Sequence, residues 1–185
     1  MYLTAVEEEI QTLLAEQDPT LTSFYGILQY HLGWVDENLQ PIKARGGKRI
    51  RPLLCLLVCE AISGDYRPAL PAAAAVELVH NFSLIHDDIE DKSPRRRGRA
   101  TVWQVWGVPQ AINAGDGLLA LAHLALHRLS APQAGPKLVA QATRLLNQAC
   151  LDLCEGQYLD IAFQERTDVT PEMYLTMARK KTASL

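Results

Sequence analysis

The sequence predicts an all-α protein whose helices pack as a bundle, and three observations support this fold class. Long segments carry apolar residues at helical spacing, and glycines and prolines fall mainly between these segments. No segment shows the sustained alternation of β-branched and polar residues that is typical of strands. Several segments are too apolar to be stable alone, so they must bury their faces against one another. We expect a single domain over residues 1–185, a length that supports a sizeable core.

The predicted helices follow one another along almost the whole chain. The first is amphipathic, with Val6, Ile10 and Leu14 on one side. The segment "ARGGKRIRP" interrupts the pattern before the third helix, and Pro94 with Gly98 ends the long apolar fourth helix. In order, we expect helices at about residues 4–17, 21–38, 52–63, 71–92, 101–106, 109–130, 134–164 and 171–184.

Composition and charge argue against several classes of protein. The net charge is −3, so no basic field favours nucleic-acid binding. The N-terminus lacks the basic start and the apolar run of a secretory signal. The longest apolar stretches, "PLLCLLVCEAI" and "LLALAHLAL", are shorter than the roughly 20 residues that a membrane span needs. We therefore expect a cytoplasmic protein without a membrane span and without a nucleic-acid partner.

The four cysteines occur as two pairs, Cys55/Cys59 and Cys150/Cys154, each spaced by one helical turn. Such pairs could form a metal or redox site. Zinc sites more often use tighter C-x-x-C turns, and both pairs lie in apolar helical segments. We interpret these cysteines as small apolar residues on buried helix faces.

The segment "HDDIEDKSPRRRGRAT" separates acids from arginines. Asp87 and Asp91 lie one turn apart on one helix face, where mutual repulsion and the helix dipole both disfavour them. A bound cation would compensate, and two carboxylates suit Mg²⁺, which shares its remaining positions with water and substrate phosphates. The arginines that follow could grip the same diphosphate. The alternative is a solvated acidic helix end followed by a basic loop, which is the commoner origin of an isolated D-D-x-x-D.

Six stretches of the sequence resemble, in order, the motifs of the trans-prenyl diphosphate synthases, the short-chain polyprenyl synthetases. They are "GGKRIRP" (46–52), "ELVHNFSLIHDDIED" (77–91), "RRGRAT" (96–101), "AGDGLL" (114–119), "EGQYLD" (155–160) and "KKTASL" (180–185). Ala100 stands where the family often has proline. The resemblance covers residues 46–185 well and the N-terminal helices loosely. It implies the multi-helix bundle of the isoprenoid synthase type.

The resemblance also implies an activity and a role for individual residues. The family joins an allylic diphosphate to isopentenyl diphosphate, head to tail, with Mg²⁺. On this basis Asp87 and Asp91 would ligate Mg²⁺ on the allylic diphosphate, and Asp88 would support them. The implied binding residues are Arg96 for the allylic diphosphate, Lys48, Arg51, His80 and Arg97 for the isopentenyl diphosphate, and Lys181 and Thr182 for the departing pyrophosphate, with Gln157 and Asp160 lining the same cavity. Arg95 and Arg99 are expected to be solvated surface charges.

Product length is predicted from the residues just before the aspartates, which in this family face the growing prenyl tail. Phe82 lies five positions before Asp87, where a ring would form part of the pocket floor, and Ser83 lies four positions before it. Two residues separate Asp88 from Asp91, without an insertion. This combination resembles geranylgeranyl (C20) synthases of the archaeal type, with a farnesyl (C15) product as the near alternative. Phe82 could instead belong simply to the core.

The sequence also departs from the family in that it contains no second D-D-x-x-D. We expect a bundle truncated at its C-terminal side, of doubtful activity in this form. The alternatives are a non-catalytic subunit that binds prenyl diphosphates and a terpene cyclase, which would not need "GGKRIRP", His80 or Arg97. Apolar faces on the helices at 71–92 and 134–164 would be exposed, and we expect a homodimer or a partner that covers them.

Overall fold

A computed structural model describes residues 1–15, 18–42, 47–129 and 135–185. It confirms the all-α class. The helices are α1 (Tyr2–Leu13), α2 (Thr22–Leu32), α3 (Ile50–Ser63), α4 (Leu70–Glu90), α5 (Val102–His127), α6 (Gly135–Phe163) and α7 (Pro171–Ala178), with short 3₁₀ turns at Pro19–Leu21 and Arg67–Ala69. Two short strands, β1 (Arg95–Arg96) and β2 (Arg99–Ala100), lie between α4 and α5. Gly46, the first residue of the "GGKRIRP" motif, lies outside the described residues.

The chain forms two compact units, Met1–Ala131 and Pro132–Leu185, which are described separately below. The prediction of one domain over 1–185 stays a prediction. In the first unit α4 is the central helix, and it packs most extensively against α5 and also contacts α1, α2 and α3. Its small residues Ala73, Ala74 and Ala75 are fully buried, which lets neighbouring helices approach closely.

Two helices of the first unit differ from the sequence-based expectation. The predicted helix at 21–38 ends at Leu32, because Gly33 adopts a left-handed conformation (φ 87°) that caps it. The predicted helices at 101–106 and 109–130 form a single element, α5, bent at Gly107 (φ 82°) and followed by Pro109. The bend follows from the missing amide hydrogen of proline and the conformational freedom of glycine.

One short β-hairpin, which the sequence pattern did not indicate, follows α4. β1 and β2 pair as an antiparallel hairpin, with Arg95 opposite Ala100 and Arg96 opposite Arg99. The two-residue loop consists of Arg97 and Gly98, both with positive φ (52° and 81°), which is the conformation of a tight hairpin turn. The hairpin therefore displays the arginine block on a short, defined scaffold directly after α4.

The second unit consists of α6, α7 and a π-helical turn at Arg179–Ala183. Thr170 caps α7 by accepting a hydrogen bond from the backbone amide of Met173. The predicted helix at 171–184 is thus α-helical only to Ala178 and continues as a π-turn, a geometry often found at functional sites. The turn packs against α6 within this unit.

Exposed apolar side chains lie on α3 and α6 more than on α4. The segment Arg67–Glu90, which contains α4, is the one described helix long and apolar enough to cross a membrane. Over half of its apolar window is buried inside the protein, and it carries the buried polar residues Glu77, Asn81 and Asp88. These are properties of a core helix. The expected exposed face on α4 was wrong, whereas exposed apolar residues occur on α3 (Ile50, Leu54, Val58, Ile62) and α6 (Leu145, Leu151, Tyr158, Ile161).

Candidate functional site

The three aspartates at the C-terminal end of α4 differ in how deeply they are buried. Asp87 is partly buried and Asp91 is exposed, and the two lie one turn apart, with the Asp91 amide donating to the Asp87 carbonyl. Asp88 is 2% exposed and faces the interior. The structure therefore places Asp87 and Asp91 on the more accessible side of the helix end, as the spacing predicted.

Asp88 is held by Arg96 of the hairpin. The Arg96 Nε donates to both carboxylate oxygens of Asp88, at 2.9 and 3.0 Å. Burial raises the pKa of Asp88 from 3.8 to about 6, although the charge of Arg96 and its hydrogen bonds oppose this shift. The loop between helix and hairpin is closed by a hydrogen bond from the Ser93 amide to the Asp88 carbonyl, at 2.9 Å. Asp88 thus positions the arginine block relative to the acids.

Arg99 anchors the hairpin on α2, and its assignment as a solvated surface charge was wrong. Its guanidinium donates to the carbonyls of Tyr30 (3.0 Å) and Val35 (2.6 Å) and lies 4.0 Å from the centre of the Tyr30 ring. The Tyr30 hydroxyl donates back to the carbonyl of Ala100 at 2.8 Å. Arg95, in contrast, is exposed as predicted. The last arginine of the block therefore orients the others.

Four predicted binding residues meet in one cleft. Lys48, Arg51, His80 and Arg97 line a space of about 270 Å³ between the start of α3, the side of α4 and the hairpin turn. Gly47 belongs to this wall, because a Cβ there would lie 2.8 Å from Nη2 of Arg97. The cleft is concave and strongly basic, which suits an anion with several oxygens.

Burial and charge set the protonation of the cleft. Burial, together with the positive charges of Arg51 and Arg97, lowers the pKa of His80 from 6.5 to about 4. At neutral pH the imidazole is therefore uncharged and can still donate or accept one hydrogen bond. An anion entering the cleft would oppose this lowering of the His80 pKa.

Sequence reasoning missed two acidic residues at this cleft. Glu77 lies in its wall, 4% exposed, and Asn81 donates to its Oε1 at 3.0 Å and to its backbone carbonyl at 2.8 Å. Burial raises the pKa of Glu77, while Asn81 and the nearby arginines oppose that shift. Glu7 of α1 pairs with Arg49 at the edge of the cleft. Glu77 opens the family-like stretch "ELVHNFSLIHDDIED", but no role was assigned to it from the sequence.

The cysteine interpretation was wrong in part. All four are free, but Cys154 is exposed and the other three are only partly buried. Burial raises the pKa of Cys55 and brings the pKa of Cys150 to about 11, which disfavours the reactive thiolate.

The predicted chain-length residues lie on α4 behind the acids. Phe82 is 8% exposed and its ring stacks edge-on against His86, with centroids 4.8 Å apart. His86 in turn lies against Gly115 of α5, where a Cβ would come within 2.3 Å of Nε2. Ser83 is partly buried and donates to the His80 carbonyl at 2.8 Å. Their roles in product length stay predictions.

The second unit brings the Gly-Gln and Lys-Thr motifs together. Lys181 Nζ donates to Asp160 of α6 at 2.5 Å, and Lys180 pairs with Asp152 at 3.1 Å and with Glu155. Gly156 is required here, because a Cβ would lie 2.1 Å from the Lys181 backbone nitrogen. Gln157 is buried beside it. The predicted grouping of Lys181, Thr182 and Gln157 with the residues of α4 stays a prediction.

The donor set at the end of α4 fits Mg²⁺ bound jointly by protein and ligand. Within the described ranges, no group of three or more histidine, cysteine or acidic side chains could hold a metal ion by itself. Asp88 pairs with Arg96, and the carboxylates of Asp87 and Asp91 supply two hard oxygen donors at the same helix end, where Asp87 is partly buried and Asp91 is exposed. Mg²⁺ is commonly bound by one or two carboxylates together with water and substrate phosphates, which matches this set.

Comparison with known proteins places the motifs in a family context. The profile of the family described as Polyprenyl synthetase matches residues 33–185. The (2E,6E)-farnesyl diphosphate synthase of Mycobacterium tuberculosis is 45% identical over 159 residues, which is 86% of this chain and 43% of that protein. The geranylgeranyl pyrophosphate synthase of Geoglobus acetivorans is 44% identical over 180 residues, 97% of this chain and 51% of that one.

Solved structures agree with the fold. A polyprenyl synthetase from Streptomyces coelicolor superimposes with a TM-score of 0.87 at 38% identity, covering 98% of this chain and 51% of that one. The Geoglobus acetivorans geranylgeranyl pyrophosphate synthetase gives 0.84 at 42% identity, covering 97% and 54%. The chain thus spans about half the length of the curated relatives it matches.

Proposed function

The chain belongs to the polyprenyl synthetase family, and we propose that it forms the diphosphate-binding part of a short-chain prenyltransferase. The reaction joins an allylic diphosphate to isopentenyl diphosphate, head to tail, and releases pyrophosphate. The product is a geranylgeranyl (C20) diphosphate, with farnesyl (C15) diphosphate as the alternative. Similarity to both a farnesyl and a geranylgeranyl synthase supports the class of reaction and leaves product length to experiment.

The observation that carries this proposal is the basic cleft beside the acidic helix end. Lys48, Arg51, His80 and Arg97 converge there, and His80 precedes Asp87 by two turns of the same helix. One helix therefore contributes to a site for one diphosphate and, at its end, to a site for a second. Two diphosphate sites are what a condensation of two diphosphate substrates requires, and a cyclase with one substrate has no use for the cleft.

Each group has a defined task in this proposal. Asp87 and Asp91 would hold Mg²⁺, which when bound would supply Lewis-acid stabilisation of the charge on the departing pyrophosphate. Arg96, oriented by Asp88, binds the allylic diphosphate from the hairpin side. Lys48, Arg51, His80 and Arg97 bind the isopentenyl diphosphate, and Lys181 and Thr182 contact the leaving pyrophosphate. Apolar helix faces exclude water from the allylic cation.

Product length is proposed to depend on Phe82. Its ring is 8% exposed and packs edge-on against His86 one turn further along α4, so it can act as a fixed wall below the acids. A homodimer and a cytoplasmic location complete the proposal as expectations.

The test incubates the full-length protein of the source reading frame and the 185-residue chain with farnesyl and isopentenyl diphosphates plus Mg²⁺. Chain-lengthened prenyl diphosphate from the full-length protein supports the synthase. No product from the full-length protein, with prenyl diphosphate still bound, would instead support the non-catalytic binding subunit. The 185-residue chain reports whether the described residues suffice for turnover.

A further inference from the structure

Arg49 of "GGKRIRP" forms an ion pair with a helix outside the matched family region. Its Nη1 lies 2.5 Å from Oε1 of Glu7, and its side chain is only 11% exposed. Glu7 belongs to α1, whereas the family profile begins at residue 33. The pair therefore connects the diphosphate cleft to a segment to which the sequence motifs assign no role.

The backbone at Arg49 explains why such a connection is needed. Arg49 precedes the first turn of α3 and adopts a left-handed conformation (φ 49°, ψ 40°), which non-glycine residues disfavour. This bend lies between Lys48 and Arg51, and all three residues line the cleft. A strained residue of this kind persists only when its surroundings hold it, and the ion pair with Glu7, in which the Arg49 side chain is largely buried, is such a restraint.

Helix α1 is itself firmly seated, so it can serve as an anchor. Val6 and Ile10 are buried, on either side of Glu7 in the sequence. The Tyr2 hydroxyl donates to Glu60 near the other end of α3, and its ring stacks edge-on against Tyr66 at 4.9 Å. Helix α1 thus contacts α3 near both of its ends, and the Glu7–Arg49 pair is the contact at the end beside the cleft.

We propose that Glu7 is a positioning residue for the basic cleft: through Arg49 it fixes the loop that presents Lys48 and Arg51 to a diphosphate. The proposal rests on the proposed function of that cleft. It assigns the N-terminal helix a role in substrate affinity without any contact between Glu7 and the substrate.

A purely electrostatic role and a positioning role for Glu7 predict opposite changes in anion affinity when Glu7 is replaced. Removing a negative charge makes the cleft more positive, which by itself strengthens the binding of an anion. Loosening the loop withdraws Lys48 and Arg51, which weakens it. The sign of the change in affinity therefore separates a positioning role from a simple charge near the site.

The experiment measures binding of inorganic pyrophosphate to the 185-residue chain by calorimetry in EDTA, so that Mg²⁺ does not contribute. We expect Glu7→Gln to weaken binding about three- to tenfold, and Arg49→Lys, which keeps the charge but not the guanidinium geometry, to weaken it similarly. The double variant should be no weaker than the worse single variant, because both break one connection. Glu8→Gln, an exposed neighbour with the same charge change, should bind as the wild type does or slightly tighter.

The outcomes separate this proposal from the proposed function. A wild-type chain that fails to bind pyrophosphate overturns both. A second outcome would overturn the role of Glu7 alone. In that outcome the wild-type chain binds pyrophosphate and Lys48→Gln weakens binding, but Glu7→Gln and Arg49→Lys bind as tightly as the wild type or more tightly. Circular dichroism of each variant confirms folding, and Arg49→Lys gives the answer if Glu7→Gln does not fold.

Discussion

Arg96 and Asp88 form an ion pair that joins the hairpin to the end of α4, with Nε 2.9 Å and 3.0 Å from the two carboxylate oxygens. Asp88 is buried, and the Arg96 side chain is 30% exposed. This pair accounts for the separation of acids and arginines in the sequence. One aspartate orients the arginine block from the protein side, and Asp87 and Asp91 occupy the accessible side.

Arg96→Gln should destabilise the first unit by about 1–3 kcal/mol, because it leaves the buried Asp88 carboxylate without its charged partner. The matched control is Arg95→Gln, which removes an exposed charge and should change stability by less than about 0.5 kcal/mol. Urea unfolding followed by circular dichroism at pH 8 measures both. Equal stabilities for the two variants would contradict a structural role for the pair.

Acid should destabilise the protein partly through His31. Burial, with the positive charges of Arg97 and Arg96, lowers its pKa from 6.5 to about 3. Between pH 7 and pH 5 the unfolded chain takes up a proton at His31 and the folded chain does not. The free energy of unfolding therefore decreases as the pH falls from 7 to 5, and His31 accounts for roughly 2 kcal/mol of that decrease. The stability that neutral His31 contributes is present above pH 6.5 and is lost as the pH falls.

His31→Gln should remove that contribution, so the variant should lose roughly 2 kcal/mol less than the wild type between pH 7 and pH 5. Urea unfolding at the two pH values gives the difference. The exposed His127 provides the control, and His127→Gln should lose as much stability as the wild type. A His31→Gln variant with the wild-type pH dependence would show that His31 titrates normally in the folded state.

Gly156→Ala should disrupt the second unit, because the added methyl group would meet the Lys181 backbone at 2.1 Å. We expect a loss of more than about 2 kcal/mol. Gly26→Ala is the control, since its methyl group would meet only the flexible end of Leu39. Amide hydrogen exchange across residues 171–185 reports the effect directly. Unchanged protection in Gly156→Ala would mean that the π-turn does not pack on α6 as described.

Phe82→Ala should shift the product of the full-length protein towards longer prenyl chains, because it removes a buried ring behind the acids. The variant should also be less stable by about 3–5 kcal/mol, as for other buried phenylalanines. Product analysis by chromatography, alongside urea unfolding of the same variant, separates the two roles. A destabilised variant with an unchanged product would assign Phe82 to the core alone.

The sequence was most informative where a feature is local. The spacing of apolar residues predicted where helices form. The seven-residue spacing of His80 and Asp87, two helical turns, predicted that both lie on roughly the same side of one helix. The sequence did not predict the hairpin, because two-residue strands are too short to show alternation, although Arg97-Gly98 is a recognisable turn pair. The sequence did not predict the Glu7–Arg49 ion pair or the close packing of Gly156 against Lys181. Each contact joins residues that are distant in sequence, and no local pattern predicts such partners.

The central claim is that Asp87 and Asp91 hold Mg²⁺ together with a diphosphate. Calorimetry of pyrophosphate binding to the 185-residue chain, in Mg²⁺ and in EDTA, tests it most directly. We predict that Mg²⁺ tightens binding about tenfold or more, that Asp87→Asn with Asp91→Asn removes this gain, and that Glu90→Gln, one residue before Asp91, keeps it. Equal affinities in Mg²⁺ and EDTA, or a full Mg²⁺ effect in the double variant, would contradict the account.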